Sequence, residues 1–119
     1  MSTALIFARD KNGFNTFIVS HSSQTYSAFL ATGVSQTLTV PSESLNNSKR
    51  IVAVIASNQG GNVWVCINGT ATIPAGAFSQ TDSDLNPPGL IVNVGDVISF
   101  ITNDAIGAYV NVKFYSDIT

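Results

Sequence analysis

Apolar residues in this chain come in short runs broken by Gly, Pro, Asn and Ser. Leu5 to Ala8 is the first run, and Asp10-Lys11-Asn12-Gly13 leads from it into Phe14 to Val19. Asn-Gly between two such runs predicts a tight hairpin, because both residues tolerate positive φ. The polar stretch His21-Ser22-Ser23-Gln24 closes that strand, and Thr25 to Ala31 makes the next, punctuated by Gly33. From Val34 to Val40 the pattern alternates. Val34, Leu38 and Val40, with the polar Gln36 among them, take one face, while Ser35, Thr37 and Thr39 take the other. A period of two predicts a strand, and Pro41 stops it because proline brings no N–H to a ladder. Ser42 to Lys49 is a polar loop.

The run Ile51 to Ala56 is apolar throughout. It is too short for a typical helix and suits a central strand buried on both faces. Asn58-Gln59-Gly60-Gly61 turns the chain into Asn62 to Ile67, which holds the sole Trp, Trp64. Asn68-Gly69 predicts a second hairpin turn, into Thr70 to Ile73, ended by Pro74. Residues 75–89 have no period and form the longest irregular stretch. Leu90 to Val94, then Val97 to Thr102 after Gly95-Asp96, read as strands, with a turn at Asn103-Asp104 and Gly107. The last run alternates strictly: Ala108, Val110, Val112 and Phe114 against Tyr109, Asn111, Lys113 and Tyr115.

No window has a helical period. About nine or ten short strands with frequent turn signals predict an all-β fold, an antiparallel β-sandwich of jelly-roll type. A length of 119 residues makes this one domain, residues 1–119. Ser2-Thr3-Ala4 is then either a free tail or a short N-terminal arm reaching a neighbour. The chain is long enough to bury a core without disulfides, and with one cysteine, Cys66, it can form none internally.

Composition changes the picture at the surface. Only 10% of residues are charged, while 14 Ser, 11 Thr and 11 Asn supply the polar cover. Such a surface has weak long-range fields and little charge repulsion between neighbours, which favours a component of an assembly. The net charge is −2, and the five cations are scattered as Arg9, Lys11, Lys49, Arg50 and Lys113. That is a poor supply for phosphate contacts, so no nucleic-acid partner is expected. No apolar stretch reaches the roughly 18 residues of a membrane span, and the first residues lack the pattern of a signal peptide. The expectation is a protein made in a cytoplasm, with no membrane partner.

Candidate chemistry is sparse. His21, the sole histidine, lies in a Ser-rich turn with no Gly-x-Ser-x-Gly elbow anywhere in the chain, and reads as a turn residue. Cys66 lies between Val65 and Ile67 on the same side of its strand as Trp64, and reads as a small buried hydrophobe. Asp82, Asp84 and Asp104 are the candidates for calcium, but the Gly and Glu positions of a calcium loop are missing after Asp82-Ser83-Asp84. The sole Glu, Glu43, has no readable partner for glycoside chemistry. Asn46-Asn47-Ser48 and Asn68-Gly69-Thr70 match the glycosylation pattern, which means little without secretion. No catalytic residue, metal or cofactor is therefore assigned, and the expectation is a protein that is not an enzyme.

The long loop is the first place to look for contact. It carries Phe78 and Leu85, and Pro87-Pro88 stiffens it, lowering the entropy lost on docking. Tyr109 and Tyr115, on the outward face of the last run, complete the expected interface set.

Several segments together resemble small virion proteins of tailed bacteriophages. They are Gly61 to Pro74, Leu85-Asn86-Pro87-Pro88-Gly89, Val92 to Ser99 and the closing Val110 to Tyr115, with Phe7 to Gly13 in the same style. The resemblance implies a jelly-roll or related β fold and a homodimer or homotrimer. It implies a location on the virion, where the protein binds the major capsid protein and copies of itself to cement or decorate the outside of the shell. It carries no catalytic residues. The alternative is a carbohydrate- or receptor-binding module of a tail fibre, with Trp64, Tyr109 and Tyr115 as stacking rings.

Overall fold

A computed structural model describes residues 3–4, 21–41, 50–58 and 61–116. Their strands are β1 (Thr3–Ala4), β2 (Thr25–Leu30), β3 (Gln36–Thr39), β4 (Arg50–Ser57), β5 (Val63–Ile67), β6 (Asp84–Leu85), β7 (Gly89–Asn93), β8 (Val97–Thr102) and β9 (Ala108–Ser116). No helix occurs among the described residues, as the missing helical period predicts. The predicted strands at 5–8 and 14–19, the hairpin between them and the loop at 42–49 lie outside the described residues.

The pairing is nested. β2 pairs with β9, β3 with β8, β4 with β7 and β5 with β6, all antiparallel. The chain is in effect one long two-stranded ribbon folded back at the β5–β6 connection. It is then rolled so that β4 also meets β9 and β5 also meets β8. Two sheets result, β2–β9–β4–β7 and β3–β8–β5–β6, which is the strand order of a jelly roll. β1 adds a short parallel pairing to β9, with Thr3 opposite Tyr115 and Ala4 opposite Ser116.

The core lies between the two sheets. Ile51, Ala53, Ile55, Val92, Ala108, Val110, Val112 and Phe114 come from the first sheet, and Val63, Val65, Ile98 and Phe100 from the second. Each fully buried aliphatic or aromatic side chain stabilises the fold by about 1.5–3 kcal/mol. A dozen of them suffice without a staple. Near β2 and β3 the space between the sheets opens into a cleft of about 160 Å³ lined by Tyr26, Leu30, Leu38, Phe100 and Val112.

Three expectations need correction. The run 51–56 is central but not buried on both faces: Val52 and Val54 are half-covered and Ala56 is exposed. A two-layer sandwich leaves one face of every strand looking away from the core. Residues 70–73 form no strand, so Asn68-Gly69 is not a hairpin turn. The reason is that β5 already has β8 on one edge and β6 on the other, leaving no edge for a returning strand. The chain crosses the outer face of the second sheet instead, where the Ala71 N–H donates to Ser99 Oγ at 2.9 Å. Finally, the irregular stretch 75–89 contains β6 and the first residue of β7, which pairs with β4.

Candidate functional site

The nested pairing sorts the loops to two ends of the sandwich. At one end lie 31–35, 58, 61–62, 86–88 and 103–107, tied together by hydrogen bonds. Asp104 accepts from the Asn62 N–H at 2.9 Å and, through its carbonyl, from the Thr32 hydroxyl. Asn86 accepts from the Val63 N–H at 2.8 Å and donates to the Gly61 carbonyl at 3.0 Å. The Asn58 side chain accepts from the Tyr109 N–H at 2.9 Å. At the other end Asp96 links β7 to the residues after β5. Its carboxylate accepts from the Asn93 N–H at 2.9 Å and from the Asn68 amide at 3.0 Å. The Asn93 hydrogen bond first and the Asn68 one second hold the Asp96 carboxyl below its ordinary value.

The expected interface residues divide between surface and interior. Phe78 is fully exposed, Tyr109 is 65% exposed and Leu85 is 43% exposed, while Pro88 is exposed and accepts from the Ile55 N–H. Pro87 and Tyr115 are buried, which corrects their placement at a contact surface. Tyr115 falls on the strand face turned away from the intersheet core, as alternation requires, but that face is covered there. Burial pushes its phenol pKa up from the ordinary value of 10.0.

The three stacking rings do not form a strip. Val63 and Val65 point into the core, so Trp64 faces outward from the second sheet, whereas Tyr109 faces outward from the first. With Tyr115 buried, the two remaining rings lie on opposite sides of the sandwich.

An apolar patch that the sequence reading missed surrounds Tyr109. Phe29 stands directly opposite it across the β2–β9 ladder, with ring centroids 4.9 Å apart and planes at 58°. Phe29 is 46% exposed, and Val34 and Ile106 at the same end are 55% and 87% exposed. The signal was available: Phe29 shares a face with Thr25 and Ser27, not with Leu30. Gly107 makes room for the ring, since a Cβ there would lie 2.5 Å from both Phe29 Cζ and the Leu30 carbonyl, and its φ is +80°.

The chemical candidates hold structural posts. His21 is exposed just before β2, and the neighbouring Ser22 hydroxyl is committed, donating to the Phe114 carbonyl at 2.6 Å. Cys66 is buried. Asp82 and Asp84 are exposed while Ser83 between them turns inward, its Oγ accepting from the Thr72 N–H at 2.9 Å. Asp104 belongs to the other end of the sandwich. Among the described residues no three His, Cys, Asp or Glu side chains come together as a metal site would need.

No protein-family model matches this chain, and neither do any curated proteins or solved structures.

Proposed function

We propose that this chain is a non-enzymatic virion protein that binds and stabilises the outside of a phage capsid, acting as a homodimer or homotrimer beside the major capsid protein. One observation carries the reading: apolar side chains stand exposed on both outer faces of the same sandwich. Phe78 projects from the segment beside Trp64 on the outer face of the second sheet, and Phe29 and Tyr109 stand on the outer face of the first, with Val34 and Ile106 exposed in loops at one end. A domain with a contact point on each face can bridge two neighbours. Exposed aromatic residues on a sparsely charged surface suit burial against protein, because aromatic anchors dominate interface energetics and few charges need desolvation. The jelly roll between them supplies rigidity, although that fold serves many functions and does not by itself argue for this one.

The test uses capsid shells of the phage that encodes the chain. The expected result is co-sedimentation with the shells and a higher temperature of shell disruption. Phe78→Ala or Tyr109→Ala should weaken binding about tenfold or more, as loss of an aromatic anchor does, while leaving the isolated protein's melting unchanged. Shells that neither retain the protein nor gain heat resistance would sink the proposal.

A further inference from the structure

Beyond shell attachment, the outer face of the second sheet holds a pocket with its own chemistry. Residues 72–81 arch over Trp64 and enclose about 430 Å³, a volume in the range of small-molecule sites. The arch is fastened only at its base. The Thr72 N–H donates to Ser83 Oγ, the two hydroxyls lie 3.4 Å apart, and the Ser83 N–H donates to Thr81 Oγ1 at 3.1 Å. Between those clasps, residues 73–80 make no hydrogen bond among the described residues. Beneath the arch, the indole Nε1–H of Trp64 is buried without an acceptor. A buried donor left unpaired is costly, and native structures tolerate few of them.

We infer that this pocket is a binding site for a neutral sugar ring. The lining selects the class. It offers one large aromatic face from Trp64, the apolar Pro74 and Phe78, and neutral hydroxyl and amide groups from Thr72, Gln80 and Thr81, with no charged side chain among them. An anionic ligand would find no cation and a cationic ligand no acid. A purely apolar ligand would leave the indole N–H and the hydroxyls unpaired. A pyranose presents a C–H face to stack on the indole and a rim of hydroxyls that both donate and accept. Once the arch moves aside, one of those hydroxyls accepts a hydrogen bond from Nε1–H. Shell attachment is a separate matter, and its failure would leave the following measurement unaffected.

Because Trp64 is the sole tryptophan, its indole N–H gives a single cross-peak in a nitrogen–proton correlation spectrum of the full chain. Titration with glucose, galactose, N-acetylglucosamine and their short neutral oligomers should move that peak and the amides of 72–81 saturably, with at least one sugar. Concentrations about ten times a millimolar dissociation constant are needed. Sialic acid and glucosamine, one anionic and one cationic, should not move them. Trp64→Phe, which keeps a ring but loses the N–H, should weaken binding about tenfold by calorimetry. Gln80→Ala, on the exposed arch, gives a second variant that leaves the sheet untouched and should also bind more weakly. The inference is overturned if no neutral sugar moves the indole peak, if the charged sugars move it equally, or if the shifts fall outside Trp64 and 72–81.

Discussion

Asp96 and Gly107 show how much of this fold depends on single positions away from the core. Asp96 fastens two strand ends, so its ionised form is favoured in the folded chain. Its folded pKa is lowered, so the stability it contributes is present above the unfolded value and is lost as pH falls through the folded one. Asp96→Asn should therefore flatten the loss of melting temperature on acidification below about pH 4, a comparison of the two proteins by thermal denaturation across pH. Equal acid sensitivity in both would rule out this role. Gly107 combines a left-handed backbone with a backbone carbonyl and an aromatic ring where a Cβ would sit. Gly107→Ala should cost about 1–3 kcal/mol in chemical denaturation, and should splay Phe29 from Tyr109. The requirement for Gly is not visible in the sequence. It arises from Leu30 and Phe29, far away along the chain.

At the level of elements, strand β9 and the arch at 72–81 are opposites. β9 is held on both edges, by β2 and β1 on one side and β4 on the other. Its alternation made it legible: every second residue from Ala108 to Phe114 is buried as read. Tyr115 breaks the expectation because alternation reports which face a residue takes, not whether that face is covered. The arch has no alternation and no ladder, so the sequence showed only that it is irregular. The lack of hydrogen bonds over 73–80 makes it the expected site of first cleavage among the described residues. Chymotrypsin should nick after Phe78 before cutting at Tyr26, Phe29 or Tyr109, which lie in paired strands. Fragment masses from a short digestion decide this, and earlier cleavage at the strand residues would contradict the account.

Taken whole, the molecule is a rolled ribbon with one apolar projection on the outer face of the second sheet and the other on the outer face of the first. The bridging role proposed for it belongs to this scale, because neither contact point alone can join two neighbours. Phe78→Ala and Tyr109→Ala should each remove most of the shell stabilisation while still binding through the remaining contact point, and the variant combining them should lose binding and stabilisation altogether. Comparison of shell disruption temperatures with the three variants checks the arrangement. Stabilisation by the double variant equal to that of the unmodified protein would remove bridging as an explanation.

The sequence by itself determined the class of the fold and most of its strands. A period of two along a backbone fixes which side chains share a face, and Gly, Asn and Pro mark where ladders stop. It also determined the neutral, hydroxyl-rich surface, which is a matter of composition. Tertiary structure alone decided the rest. It placed Trp64 and Tyr109 on opposite sides, although both were candidate stacking rings of one sugar site. It buried Pro87 and Tyr115, exposed Phe29 beside Tyr109, and turned 70–73 away from β5 because both edges of that strand were taken. The physical reason is the same in each case. Pairing partners, and the cover over each outer face, come from segments distant in the chain, and local periodicity holds no information about them.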